Sequence, residues 1–100
     1  MENNYQIKWL KKALKNINDE AEYIAKENPK AAQQVVQEIY DAVSLLAGNP
    51  ALGYSGRIHN TRELVIPDTR YLVPYRVNSK MKTIEILRVF HTSRELPKKW

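Results

Sequence analysis

The side chains with the greatest potential for chemistry lie in the second half of the chain and include Glu63, His91 and Arg94. Cleavage of RNA by its own 2′-hydroxyl needs a group that accepts the hydroxyl proton, a cation that stabilises the phosphorane and an acid for the leaving oxygen. An imidazole can exchange protons near neutral pH, and a carboxylate and a guanidinium supply the other types of group. A lone histidine at a strand end, however, is more often a structural residue. These residues permit a ribonuclease without requiring one.

Positive charge is concentrated in the same half. The net charge is +5, but residues 1–50 carry six lysines and seven acids, whereas residues 51–100 carry ten lysines or arginines and four acids. The six arginines are Arg57, Arg62, Arg70, Arg76, Arg88 and Arg94. Because the planar guanidinium suits carboxylates and phosphates, this half is predicted to face an acidic partner, either nucleic acid or an acidic protein segment. A solvated basic surface is the alternative.

Three strand-like runs must position these side chains. They are Arg62–Ile66, Arg70–Val77 and Thr83–Phe90, which are rich in Val, Ile, Leu and Tyr and are bounded by turn residues. The short links through Pro67-Asp68 and Asn78-Ser79-Lys80 favour hairpins. The pattern therefore predicts an antiparallel meander.

Alternation along the last two runs predicts which side chains share a face. Pro74 lacks an N–H, so we expect it at a bulge or where its nitrogen faces no strand partner. In the last run, alternation places Arg88 on the face of Ile84 and Ile86, and His91 on the other. The core-like face of the middle run carries Tyr71, Val73, Tyr75 and Val77.

The first half is predicted to form a platform for the meander. Tyr5–Trp9 alternates apolar and polar residues, which is typical of a short strand at a sheet edge. From Leu10 to near Glu27, apolar residues recur every three or four positions, which predicts an amphipathic helix.

A second helix is predicted to follow at once. Asn28 suits the N-cap position and Pro29 the first helical position, while Gly48 suits a left-handed cap at the far end. Because few residues separate the helices, they must double back as an antiparallel hairpin and cover one face of the sheet.

Residues 1–100 are thus predicted to form a single α+β domain, with an N-terminal antiparallel helical hairpin packed on a small, mainly antiparallel sheet of three or four strands. The chain has no cysteine and two histidines, so neither a metal site nor a cofactor is expected. No stretch approaches the roughly 20 apolar residues of a membrane span, and the first residues do not resemble a secretory leader. We expect a cytoplasmic protein with no membrane partner.

Several short motifs follow one another along nearly the whole chain. They are Ala21-Glu22-Tyr23-Ile24-Ala25, Asn28-Pro29, Asn49-Pro50, Thr61-Arg62-Glu63-Leu64, Tyr71-Leu72-Val73, Tyr75-Arg76-Val77 and Ile84-Glu85-Ile86-Leu87-Arg88-Val89, followed by His91 and Arg94. In order and spacing they resemble the RelE/ParE superfamily of toxins from type II toxin–antitoxin modules. The resemblance implies a helical hairpin packed on an antiparallel sheet, in agreement with the periodicity.

The resemblance also implies a choice between two targets. RelE-like toxins cleave messenger RNA on the ribosome, whereas ParE-like toxins are known for poisoning DNA gyrase without a recognised catalytic site. The RelE-like site uses lysines in the first meander strand, an arginine after the aromatic that opens the second, and a late arginine and tyrosine. Here those places hold Glu63, Val65 and Leu72, and no tyrosine follows Arg94. The resemblance favours the ParE-like branch; a RelE-like endonuclease and a non-toxic nucleic-acid binding module are the alternatives.

Roles for individual side chains combine this resemblance with the positions of the arginines around the meander and the tail. A ParE-like toxin is neutralised by a cognate acidic antitoxin, and we expect Arg62, Arg70 and Arg76 to contact it. Arg94, His91 and Arg70 are expected to contact the target, DNA gyrase, and no catalytic residue is favoured. In the RelE-like alternative, which acts on the ribosome and messenger RNA, His91, Arg94 and Glu63 would carry the reaction.

Overall fold

A computed structural model describes residues 4–93, so Arg94 and the tail that follows it lie outside the described residues. Two helices pack against a mixed, mostly antiparallel sheet, which confirms the predicted α+β fold. The described sheet has six strands, more than the three or four expected, because Tyr54–Ser55 adds a strand and the last predicted run is divided in two. The elements are β1 (Gln6–Trp9), α1 (Lys11–Ala25), α2 (Pro29–Ser44), β2 (Tyr54–Ser55), β3 (Arg62–Val65), β4 (Tyr71–Asn78), β5 (Thr83–Ile86) and β6 (Phe90–His91).

The helical hairpin begins and turns as its sequence predicts. The Asn28 side chain accepts a hydrogen bond from the Ala31 N–H at 3.0 Å, which satisfies one of the free donors at the start of α2, and Pro29 is the first helical residue. The expected left-handed cap at Gly48 is wrong, because its φ is −99°. Instead, α2 tightens into a 3-10 turn at Leu45–Ala47, whose bonds to carbonyls three residues back end the helix without a left-handed residue.

The strand order is β1-β5-β4-β3-β2, with β6 pairing the start of β4. The strand β1 lies at one edge, as its alternation predicts, and pairs parallel to β5. A parallel pair needs a long crossover connection, which the helical hairpin and the meander together provide. The remaining pairs are antiparallel.

Pro74 explains why the last predicted strand is broken in two. The strand β5 stops at Ile86, β6 begins at Phe90, and the three residues between them face only two residues of β4. The Pro74 carbonyl still accepts from the Leu87 N–H at 2.9 Å, but proline has no N–H to return. The extra residue forms a bulge in the strand opposite Pro74, and a bulge is one of the two arrangements expected for this proline.

The bulge reverses the faces predicted beyond Ile86. Val89, rather than Arg88, joins Ile84 and Ile86 in the core. The strand end at His91 becomes the register partner of Tyr71, so its side chain lies on the helix-covered face and not on the predicted outer one.

The core lies between the sheet and the hairpin, and it contains Tyr71, Val73 and Tyr75 as predicted for that face of β4. The side chains that α1 and α2 contribute are Ala13, Ile17, Ile39 and Val43. Complete burial of one aliphatic side chain contributes about 1.5–3 kcal/mol, so these contacts fix the hairpin on the sheet. Within residues 4–93, neither helix has the length and apolar character that crossing a membrane would require.

Candidate functional site

Antiparallel pairing brings two of the predicted target-contacting residues together. Arg70 immediately precedes β4 and His91 ends β6, whose register places it opposite Tyr71. The Thr92 N–H donates to the Arg70 carbonyl at 2.6 Å, and Arg70 Nη1 donates to Ser93 Oγ at 2.9 Å. We call this group, formed by Arg70, His91 and Ser93, the basic corner.

The His91 ring is held in a defined orientation. Its Nδ1 accepts a hydrogen bond from the Ser93 N–H at 3.1 Å, so the neutral ring carries its proton on Nε2. The ring also packs edge-on against Tyr71 with 5.1 Å between centroids. The Tyr71 hydroxyl in turn donates to Glu20 Oε1 of α1 at 3.0 Å. This chain of contacts ties the corner to the helical platform.

Glu63, the carboxylate of the ribonuclease interpretation, has a different partner. Arg57 binds it through Nε at 2.8 Å and through its backbone N–H at 3.0 Å. Partial burial acts to raise the pKa of Glu63, but the hydrogen bonds and charge of Arg57 outweigh burial and hold that pKa below its usual value. The same pair raises the pKa of Arg57, chiefly through the side-chain hydrogen bond.

Glu63 and His91 also lie on opposite faces of the sheet. Glu63 is the register partner of Pro74, whereas His91 is the partner of Tyr71, three residues earlier in β4. Their strands flank β4 on either side, so strand spacing and rise put their Cα atoms about 14 Å apart. The structure does not bring this carboxylate and this imidazole together.

The arginines expected to contact an antitoxin differ in their partners. Arg76 is paired with its cross-strand partner Glu85, and Arg76 Nε lies 2.9 Å from Glu85 Oε1. Arg62 Nη1 donates to the Gly53 carbonyl at 2.6 Å instead of pairing with an acid. Within residues 4–93, Arg70 alone of the three binds a neutral side chain.

Sequence reasoning missed the anchoring of residues 50–55. The Tyr75 hydroxyl donates to the Pro50 carbonyl at 2.7 Å and accepts from the Gly53 N–H at 2.8 Å. Burial raises the pKa of Tyr75, although the Gly53 N–H and the charge of Arg62 act in the opposite direction. These residues are more than 20 positions apart, and no local pattern predicts such a contact.

The described residues offer no arrangement suited to a metal. Among residues 4–93, no three His, Cys, Asp or Glu side chains converge in a way that would hold an ion. Arg94, expected both in target binding and in the ribonuclease alternative, lies outside this part of the chain.

Residues 7–96 match the model of the ParE toxin of type II toxin–antitoxin systems, parDE. The chain belongs to the ParE toxin family. A Sinorhizobium fredii protein, Y4kP, which is described as a candidate toxin, is 42% identical to this ParE-family chain over 92 residues, covering 92% of the chain and 93% of the relative.

Solved structures of toxin–antitoxin systems share the fold. A chain of the chromosomal ParDE system from P. aeruginosa superposes with a TM-score of 0.78 at 26% identity, covering 90% of this toxin and 98% of that chain. The RelBE2 toxin–antitoxin complex from Mycobacterium tuberculosis gives a TM-score of 0.61 at 24% identity, covering 88% and 98% of the respective chains. The ParE-family chain is therefore a type II toxin of the ParE/RelE superfamily, as its motifs predict.

Proposed function

We propose that this ParE-family toxin inhibits DNA gyrase and is neutralised by a cognate acidic antitoxin. The observation that carries the proposal is the separation of Glu63 from His91 in a chain whose sequence matches the ParE family over residues 7–96. General acid–base chemistry requires its groups within hydrogen-bond reach of one reacting centre. Groups about 14 Å apart on opposite faces of a sheet cannot share such a centre.

The basic corner is proposed as the surface that contacts the target. Arg70 is exposed, and its described side-chain partner is the neutral hydroxyl of Ser93, so its positive charge is not compensated by a bound carboxylate. Only one of its donors is used in that contact, which leaves the rest of the guanidinium fork for another group. His91 adds a donor at Nε2, and Arg94 follows within three residues in the sequence.

Antitoxin contact is proposed for Arg62 and Arg70, with a smaller contribution from Arg76. Glu85 already compensates the charge of Arg76, so an incoming carboxylate would have to displace that pair. Solved complexes of ParDE and RelBE systems support an antitoxin as partner. Opposite charges across such an interface accelerate encounter and favour the correct partner.

The proposal is tested with purified toxin in two parallel assays. In a gyrase supercoiling assay, the toxin is expected to inhibit, and the acidic product of the neighbouring reading frame is expected to restore supercoiling. In a translation reaction with mapped transcript ends, no new cleavage sites are expected. Normal supercoiling combined with cleavage of messenger RNA would overturn the proposal and establish the ribonuclease instead.

A further inference from the structure

A cavity opens near the end of β4, whereas the basic corner lies at the start of that strand. Its volume of about 710 Å³ lies within the roughly 300–1,000 Å³ typical of small-molecule sites. Arg62 and Lys82 line it, and none of the described residues around it is acidic. Pro50, Ala51 and Val77 add an apolar wall. The cavity therefore combines two positive charges with apolar surface.

Arg62 brings a half-buried guanidinium to one side of the cavity. Its Nη1 donates to the Gly53 carbonyl at 2.6 Å and to the Ala51 carbonyl at 3.4 Å, and both acceptors are neutral. A guanidinium has five N–H donors, and these two contacts share one nitrogen, so other donors remain for a ligand. Partial loss of water around a charge is costly unless an opposite charge replaces the water, so an anion is favoured here.

Lys82 brings the second charge from an unusual backbone conformation. Its φ of 55° is in the left-handed region, and the other non-glycine residues with positive φ among residues 4–93 are Asn60 and Asp68. Asn and Asp tolerate this conformation, whereas lysine adopts it rarely. The Lys82 carbonyl accepts from the Gln6 N–H at 2.9 Å, which fixes the residue against β1. Because strained backbone is concentrated at functional sites, a lysine at this position favours a binding role for its side chain.

The Lys82 ammonium is held at the cavity without being neutralised. It lies over the Tyr5 ring, 5.5 Å from the ring centroid, and Tyr5 also lines the cavity. The Tyr5 N–H donates to the Ala47 carbonyl at 2.8 Å, so a fixed backbone carries the ring. A cation–π contact orients the ammonium but leaves its charge in place. Among residues 4–93, neither this lysine nor Arg62 forms an ion pair with a carboxylate.

We propose that this cavity binds the diphosphate group of a small molecule between Arg62 and Lys82. Arg62 is the register partner of Tyr75, and Lys82 precedes Thr83, the partner of Asn78. Strand spacing and rise therefore put the two cationic residues about 16 Å apart at their Cα atoms, on either side of β4. Two linked phosphates match two separated cations better than one does. The guanidinium fork suits one phosphate in a bidentate contact, and the ammonium binds the other as a point charge.

This ligand site goes beyond the proposed function and does not depend on gyrase as the target. Because Arg62 is also proposed to contact the antitoxin, binding is measured on the toxin alone. Failure of the diphosphate site would leave the supercoiling assay unaffected, and normal supercoiling would leave the diphosphate measurement unaffected. The two proposals are therefore distinguishable.

The test is isothermal titration calorimetry of the toxin with inorganic pyrophosphate, ADP, adenosine and succinate at physiological salt. Pyrophosphate and ADP are expected to bind, and adenosine and succinate are not. Tighter binding of ADP than of pyrophosphate would identify a nucleotide as the source of the diphosphate, because the apolar wall would then contact the nucleoside. Equal binding would identify free diphosphate. Succinate that binds as tightly as pyrophosphate would overturn the diphosphate assignment.

Variants of the turn between β4 and β5 locate the charge that matters. Lys82→Gln should weaken pyrophosphate binding about tenfold, as for loss of one charge-assisted hydrogen bond. Lys80→Gln is the matched control, because Lys80 is exposed in the same turn but does not line the cavity, and its effect should stay within about twofold. Lys82→Arg keeps the charge, and its binding should stay within about threefold of wild type. Thermal unfolding of each variant establishes that lost binding is not lost structure.

Three results would overturn the proposal. The first is a wild-type toxin that binds neither pyrophosphate nor ADP. The second is equal weakening by Lys82→Gln and Lys80→Gln, which would show general attraction of an anion to a basic protein. The third comes from NMR, where bound pyrophosphate should shift the backbone amides of Arg62, Val77 and Lys82. Shifts confined to Arg70 and His91 would place the anion in the basic corner instead.

Discussion

Two regions flank β4, and they differ in whether the hydrogen bonds that hold them are buried or exposed. On one side, the loop that leads to β2 is fixed by the Tyr75 hydroxyl and by Arg62, through contacts that are buried or partly buried. On the other side, the basic corner depends on exposed hydrogen bonds between Arg70 and Ser93 and between Ser93 and His91. This edge, residues 50–55, is therefore held more firmly than the basic corner, whose hydrogen bonds are exposed to solvent.

The comparison also shows that the number of arginines is a poor measure of available charge. Arg57 and Arg76 are exposed, but Glu63 and Glu85 compensate their charges. Among residues 4–93, the side-chain partner of Arg70 is the neutral hydroxyl of Ser93. The net charge of the second half suggests a uniform basic surface, but the described contacts of these three arginines differ.

Gly53→Ala should cause the largest loss of stability, because it disturbs the packing of the edge. A Cβ at this position would lie 2.8 Å from the Glu63 carbonyl oxygen and 2.9 Å from the Tyr75 hydroxyl, so either the backbone or the buried ring must shift. We expect a loss of about 2–3 kcal/mol of unfolding free energy, measured by chemical denaturation. The control is Gly48→Ala, where the nearest side-chain atom is 3.6 Å away, and its effect should stay within about 0.5 kcal/mol. Equal losses would show that the edge is not tightly packed.

Tyr75→Phe and Ser93→Ala together measure how strongly a hydroxyl anchors each region. Removal of the hydroxyl leaves the Gly53 N–H and the Pro50 carbonyl without their partner, and the expected cost is about 1–2 kcal/mol. Ser93→Ala removes the corresponding hydroxyl from the corner, where water can replace it, and should cost less than about 0.5 kcal/mol. Thermal unfolding of the two variants measures this difference. Equal losses of stability would show that the corner is anchored as firmly as the edge and would contradict this account.

The smallest expected effect is that of Glu63→Gln on the stability of the protein as pH falls. Because the folded pKa of Glu63 lies below its usual value, the pair with Arg57 stabilises the protein above the ordinary carboxylate range and loses this effect as pH falls through the lowered folded value. Glu63→Gln should remove about 1 kcal/mol at neutral pH and progressively less in acid. Glu38→Gln, an exposed change on α2, is the control. A Glu63→Gln loss that does not vary with pH would contradict this account.

The sequence predicted the elements better than the contacts. Local signals were sufficient for the Asn28 cap and for the strand predicted at Tyr5–Trp9, and they limited Pro74 to a bulge or a position without a strand partner for its nitrogen. The consequence of the bulge was missed, because one inserted residue exchanges the two faces and so brings Val89 into the core in place of Arg88.

Polar contacts that depend on the folded sheet were the least predictable part of the site. Arg57 with Glu63 and Tyr75 with Gly53 form through the sheet and its connecting loop, and each residue has other plausible partners in the sequence. The end of α2 shows the same limit, since Gly48 suits a left-handed cap but the tightened last turn makes one unnecessary.

The most direct test of the central claim is the toxin concentration that half-inhibits gyrase supercoiling, measured for Arg70→Gln and Arg76→Gln. Both changes remove one exposed guanidinium charge, but only Arg70 lies in the basic corner without a carboxylate partner among residues 4–93. The account predicts that Arg70→Gln raises this concentration about tenfold and that Arg76→Gln changes it less than about twofold. Equal effects of the two changes, or a larger effect of Arg76→Gln, would contradict it.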